Sequence, residues 1–317
     1  MQSSDMKDLY RYIWKVSGRQ QVYLSLLAVG VFLVQLAPLE LQRRIVNNAT
    51  EHADFRVIGW LCLVYVGVVV VQGVLKLATN VYRGAVSERS IKRIRLQVDP
   101  GSTLGSANAA APKDEGTAIS IIVSESEVVG GFVGSSFSEP ILNAGILLSV
   151  LGYMLYTQPL LAVVAIALFC PQFLFIPLLQ KSINKRTEAR IQTLRAMSSD
   201  IVKEAAVPNG APERKTFRRR VAELYRLNME IFYRKYGMTF LMNLFHHLGT
   251  IGILAFGSWL LLQGKTEMGT IVAFISGINR MNDPWGDLVN FFRNLTNTVV
   301  RYQLIESTLA GQRKDPA

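Results

Sequence analysis

Charge is scarce in this sequence. Only 18% of its 317 residues are Asp, Glu, Lys or Arg, half are hydrophobic, and the mean hydropathy is +0.25. An ordinary soluble domain carries about 25% charged residues, so the balance excludes that class and points to an integral membrane protein. Cysteine is almost absent as well. Cys62 and Cys170 both lie inside apolar runs, which leaves no disulfide framework, thiolate metal site or thiol nucleophile and makes them small apolar filling. Two of the three histidines, His246 and His247, are adjacent. Neighbouring positions on a helix face about 100° apart, so the pair suits hydrogen bonding between helices better than metal ligation. The opening residues hold no short apolar core followed by a small-residue cleavage site, and no removable leader is expected. The net charge of +11 would suit nucleic acid, but no aromatic-basic motif accompanies it, and the basic residues gather beside apolar runs.

What the chain does have is six apolar stretches, at about 22–39, 57–76, 140–156, 160–180, 238–262 and 268–292. Each is close to the roughly 20 residues that a helix needs to cross a bilayer. The expected fold is an all-α membrane protein of six transmembrane helices, occupying 21–300, with a cytoplasmic segment at 1–20 and a cytoplasmic tail at 301–317. Pro38 is expected to bend the end of the first span, while Pro171 and Pro177 are tolerable inside the fourth. Two connections are unusual. The second span runs on through ATNVYRGAVSERSIKRIRLQ without a helix breaker, and its Arg83, Arg89, Lys92, Arg93 and Arg95 read as a solvated basic face. The fourth runs on from Lys181, and a basic helix returns from Glu213 to the fifth. Both excursions turn at Gly-, Ala- and Pro-containing segments, 99–112 and 207–212. In the returning arm of the first, Gly130, Gly131 and Gly134 permit close helix contact. Fourteen Lys and Arg lie between Lys181 and Lys235, whereas the loop Gln263–Glu267 holds only Lys265. This asymmetry puts both termini and both long excursions in the cytoplasm.

The last apolar stretch contains an anomaly. Arg280, Asp283, Asp287, Asn290, Asn294 and Asn297 recur every three or four residues and form one polar stripe, with Met281, Trp285, Leu288, Phe292 and Leu295 on the other flank. Arg280 lies about 18 Å along a helix that starts at Met268, past the middle of a ~30 Å hydrocarbon layer. A charge there costs on the order of 2.5–3.5 kcal/mol on insertion scales, so the stripe should line a protein interior or a wet cavity. Arg280 and Asp283 are spaced to pair along the helix, and Pro284 is expected to kink it. Lys76, Asn80, Glu139, Asn143, Gln172, Asn243 and His246 are further polar residues within spans. Each suits either a pathway lining or glue between helices.

Three stretches, GKTEMGTIVAFISGINRMNDPW (Gly264–Trp285), SEPILNAG around Pro140 and the hairpin TQPL, resemble the six-helix transmembrane domain of ABC exporters. The likeness covers about Tyr10 to Thr308. It implies an ATP-driven exporter-type permease working by alternating access, built as a homodimer or with a similar transmembrane subunit. It also implies a multi-pass location in the cell inner (plasma) membrane and short coupling helices that rest on a nucleotide-binding domain. The first coupling helix would fall near Leu104, Ser106 and Asn108, and the second near Asn209, Gly210 and Glu213. The sequence departs from the family at Asp114–Glu115–Gly116, where a Gly-Glu pair is common, and at Pro208 and Pro212, where apolar residues are usual.

A phosphate loop needs Gly, four residues, Gly, Lys and Ser or Thr. Gly264, Lys265 and Thr266 match only its end and sit between two apolar stretches with no preceding strand, which makes them a turn. No catalytic residue, cofactor or metal is therefore expected in these residues. ATP and Mg²⁺ would belong to a partner subunit or missing domain. The alternative is a proton-driven secondary transporter of similar fold, of the peptide-uptake type, with Glu40, Glu139, Asp283 and Asp287 as candidate titrating carboxylates. A signalling or scaffold protein is the third possibility.

Overall fold

The computed structural model describes residues 2–51, 54–97, 125–205 and 214–314, and every secondary element in them is an α-helix. In chain order these are α1 (Gln2–Val34), α2 (Ala37–Thr50), α3 (Phe55–Gln97), α4 (Ser126–Ser135), α5 (Ser138–Thr157), α6 (Pro159–Phe169), α7 (Pro171–Ala205), α8 (Arg214–Leu262) and α9 (Met268–Lys314). The all-α membrane architecture expected from the sequence is the one observed. Both excursion tips, and with them Leu104, Ser106, Asn108, Asn209, Gly210 and Glu213, lie outside the described residues.

Among the described residues, five helical stretches are long and apolar enough to cross a membrane: Asp5–Thr50, Phe55–Gln97, Ser138–Thr157, Pro159–Leu194 and Phe217–Leu262. The most apolar window of Phe55–Gln97 has none of its residues buried in the chain. Trp60, Leu63, Val66, Val70 and Val74 all stand exposed, as a lipid-facing surface should. The sixth apolar stretch, at the start of α9, does not meet the same standard, because its polar stripe dilutes it.

Continuity and breaks follow proline. With no proline, α3 runs 43 residues without interruption, about 65 Å at 1.5 Å per residue. The first span is not one helix. The α-helical hydrogen-bond pattern breaks at Gln35–Leu36, where Leu36 keeps helical dihedrals but the turn tightens, and α2 follows with Pro38 in its first turn, because the proline ring would strike the carbonyl four residues back and has no N–H to donate. The fourth span is divided in the same way at Cys170, immediately before Pro171, and α7 then runs through Pro177. α9 passes through Pro284 uninterrupted and continues to Lys314, so the expected tail is largely a continuation of that helix. Between α5 and α6 a single extended residue, Gln158, makes the turn. Gly264, at φ +69°, makes the turn after α8, a conformation that glycine reaches without steric penalty.

The chain divides into two compact units. Unit one, 1–159 with 264–317, holds α1–α5 and α9. At the end carrying both chain ends, Leu9, Ile13, Leu24, Val86, Phe132, Phe291 and Leu295 form one buried cluster from α1, α3, α4 and α9. Phe132 and Phe291 stack at 5.6 Å, and Tyr10 meets Phe137 edge-on at 5.3 Å. Residues 5–20 therefore form part of a packed helix, bent at Ser17 (φ −141°) and tied to α4 by a 2.7 Å hydrogen bond from the Gln21 amide to the Val133 carbonyl. A second cluster (Ile94, Val129 and Ile305) adjoins Tyr12 and Tyr302. Burial there pushes the Tyr302 hydroxyl up to about 12. Arg301 donates to Glu125 at 2.6 Å.

Unit two, 160–263, holds α6–α8. α7 and α8 pair through Phe175 and Phe245 (5.4 Å) and through Glu230, which meets Arg186 and, at 3.6 Å, Arg234.

Helix seams close where side chains vanish. A Cβ on Gly130 would lie 2.7 Å from the Ile91 backbone nitrogen. One on Gly134 would lie 2.5 Å from the Arg83 carbonyl oxygen and collide with Ser87, whereas Gly131 faces open space. Gly130 and Gly134, four apart, thus let α4 lie backbone-to-backbone on α3. Gly134→Val should destabilise the chain by about 1–3 kcal/mol through overpacking. Thermal unfolding in detergent should register a lower Tm for Gly134→Val and Gly130→Val, and one near the parent value for Gly131→Ala.

Candidate functional site: a charge-lined cavity

Within unit one, α1, α3, α5 and α9 surround a cavity of about 530 Å³. Its lining is set by register. Gln72, Lys76, Asn80 and Arg83 on α3 recur at intervals of four, four and three, and Arg280, Asp283 and Asp287 on α9 at three and four, so each set forms one stripe. α5 contributes Glu139 and Asn143, α1 contributes Val31, and the break after α1 contributes Gln35. Of the sequence candidates, Lys76, Glu139, Asn143, Arg280, Asp283 and Asp287 are brought together here, and Asn80 joins them.

Arg83, which the sequence assigns to the solvated basic face beyond the second span, also lines the cavity. The signal was available in its spacing, since it extends the Gln72–Lys76–Asn80 stripe by three residues.

The Arg280 guanidinium does not pair with Asp283. Instead it donates a 3.0 Å hydrogen bond to the Gln35 carbonyl, and among the described residues no ion pair joins it to any carboxylate. The reason is local. In an unbroken helix the Gln35 carbonyl would accept from the Leu39 N–H, but across the Pro38 break Leu39 donates to Leu36 at 3.0 Å instead. A carbonyl released inside an apolar layer needs a donor, and Arg280 supplies a charged one. Asp283 and Asp287 are exposed beside it, and no ion pair within the described residues neutralises them. Phe292, expected on the packed flank, is 61% exposed, whereas Met281, Phe291 and Leu295 carry the buried face.

The remaining candidates lie elsewhere. Asn290 is exposed one turn beyond Asp287, outside the cavity lining. His246 belongs to unit two, half-buried, its ring edge-on to His247 at 5.6 Å. Gln172 is fully buried there and Asn243 is exposed.

Glu40, considered a titrating carboxylate from sequence, is held in a cluster of its own. It accepts from Arg43 Nε at 3.0 Å, Arg44 Nε at 2.7 Å and Tyr153 Oη at 3.0 Å. Arg43 also reaches Glu267 at 3.2 Å, Asn47 donates to Glu267, and the Asn47 side-chain oxygen accepts the Gly269 N–H at 2.7 Å. These contacts join α2 to α5 and cap the first turn of α9, whose early N–H groups have no partner within their own helix. Glu40 is a pin between helices. No group of three or more His, Cys, Asp or Glu among the described residues is arranged to hold a metal ion.

This polar cavity among long apolar helices has a family counterpart. Residues 22–205, more than half of the chain, match the ABC transporter transmembrane region, and the chain belongs to that family. Comparison with curated proteins finds no match.

If Arg280 caps a carbonyl released by Pro38, the two residues are coupled. Arg280→Met should cost about 1–3 kcal/mol, the range for leaving a buried acceptor unsatisfied, and clearly less in a Pro38→Ala background, where the helix can close on itself. A double-mutant cycle of unfolding in detergent measures this, and additivity of the two substitutions would contradict it.

Proposed function

We propose that this chain is the membrane-spanning permease part of an ATP-driven ABC transporter of the exporter type. ATP would be hydrolysed, with Mg²⁺, on a nucleotide-binding subunit or domain outside these residues. The observation that carries the reading is the cavity. Three basic and three acidic side chains meet between helices whose outer faces are apolar, and charges at such depth cluster where a solute passes.

Helix length adds support. α3, α8 and α9 contain 43, 49 and 47 residues, about twice what a bilayer requires. Their surplus is available as lever arms, through which closure of an ATPase dimer would tilt the helices and alternate access to the cavity. Both termini and both excursion tips would lie in the cytoplasm, in the plasma or inner membrane, as the distribution of Lys and Arg suggests. The tips near Leu104–Ala110 and Val207–Glu213 would form the coupling contacts. A second transmembrane copy, or a similar chain, would complete the pathway, facing the exposed stripe of Asp283, Asp287 and Asn290.

The second reading, proton-driven uptake, is favoured by one feature: Glu139, Asp283 and Asp287 share the cavity and are not consumed by ion pairs among the described residues. The two readings separate experimentally. Purified from native membranes in mild detergent, the chain should bring with it a nucleotide-binding protein or domain, and vanadate-sensitive ATPase activity should appear in the complex and not in the 317 residues alone. ATPase activity in the isolated chain would contradict the assignment. Cargo uptake into vesicles under a pH gradient alone, abolished by Glu139→Gln, would replace it with the proton-driven mechanism.

A further inference from the structure

The charges of the cavity are sorted by wall. Lys76 and Arg83 stand on α3, seven residues and about 10 Å of helix rise apart. Asp283 and Asp287 stand on α9, one turn apart, and Glu139 lines the cavity from α5. The sixth charge, Arg280, is engaged with the Gln35 carbonyl. α3 packs against α1, α2 and α4, and α9 against α2, α4 and α5, so the basic and acidic walls are held by intervening helices rather than by a common seam.

Opposite charges that face one cavity attract each other and can close into ion pairs. These do not. Among the described residues no pair within 4.0 Å joins Lys76 or Arg83 to Glu139, Asp283 or Asp287, and about 530 Å³ remains between them. Arg83 donates instead to its own neighbour Asn80 at 3.2 Å. The amide oxygen of Gln35, buried at the cavity wall, accepts no hydrogen bond among the described residues. The scaffold therefore holds a dipole open, with unfilled hydrogen-bonding capacity at its edge.

The arrangement discriminates among cargo classes. Three basic and three acidic groups give a formal charge of zero. An anion drawn to Lys76 would lie against Asp283 and Asp287, and a cation drawn to those carboxylates would face Lys76 and Arg83. A purely apolar solute would give Lys76, Asp283 and Asp287 no partner. A small solute with a cation at one end and an anion at the other satisfies both walls at once. The volume falls within the 300–1,000 Å³ typical of small-molecule sites.

Building on the reading of this cavity as a cargo site, we propose that it takes a small zwitterion, such as a short peptide with free termini, with its carboxylate toward Lys76 and Arg83 and its ammonium toward Asp283 and Asp287. Isothermal titration calorimetry on the purified chain tests this with trialanine, N-acetyl-trialanine and trialanine amide. Trialanine should bind at least tenfold tighter than either blocked form. Lys76→Met should weaken trialanine and its N-acetyl form while leaving the amide unchanged, and Asp287→Asn should weaken trialanine and the amide while leaving the N-acetyl form unchanged. Equal affinity for all three peptides, or no heat from any of them at millimolar concentration, would overturn the proposal. The peptide series on the unsubstituted protein needs no variant to fold. Because the measurement requires neither ATP nor transport, loss of the zwitterion preference alongside an active ATPase complex would sink this inference alone. Retained preference without a partner ATPase would sink only the ATP-driven reading.

Discussion

The contact between the Arg280 guanidinium and the Gln35 carbonyl meets two demands. A helix carrying Arg, Asp and Asn at bilayer depth requires somewhere to place them, and a span broken by proline requires a donor for the carbonyl it exposes. Each defect answers the other. With Arg280 anchored at the α1–α2 break, α9 presents its next residues, Asp283 and Asp287, to the same space. This one charge of the stripe is committed to the backbone, while Asp283 and Asp287 form no ion pair among the described residues.

The two ends of unit one hold the cavity by different means. Around Glu40 and Glu267 the fixation is ionic, with several charge-assisted hydrogen bonds joining α2, α5 and the start of α9. At the opposite end it is apolar and steric, through the Phe132–Phe291 stack and the glycine seam between α4 and α3. Such an arrangement restrains both ends of the unit, while the middle holds the polar lining.

Helix continuity was legible in the sequence for physical reasons. α3 and α8 contain no proline and hold long apolar runs, so hydropathy and breaker residues sufficed. The α9 stripe was legible too, because a period of three and four survives in any helix. Partnership across space was not. Spacing suggested Asp283 as the partner of Arg280, and nothing local could reveal that a proline some 240 residues earlier releases a better acceptor. Arg83 was assigned to the basic projection because its neighbours in sequence are basic, although its helical phase joins it to Gln72, Lys76 and Asn80. Glu40 illustrates the converse. A carboxylate at the end of a span looks available for proton chemistry until Arg43, Arg44 and Tyr153 are seen to occupy it.

The central claim is that a water-accessible polar cavity lies between α3 and α9 within an otherwise lipid-facing bundle. Cysteine accessibility in intact membranes tests it most directly. With Cys62 and Cys170 replaced, single Gln72→Cys and Asn80→Cys variants should react with a charged, membrane-impermeant thiol reagent, and Val66→Cys and Val70→Cys on the exposed apolar face of α3 should not. Equal protection at all four positions, or labelling of the valine positions alone, would contradict the account.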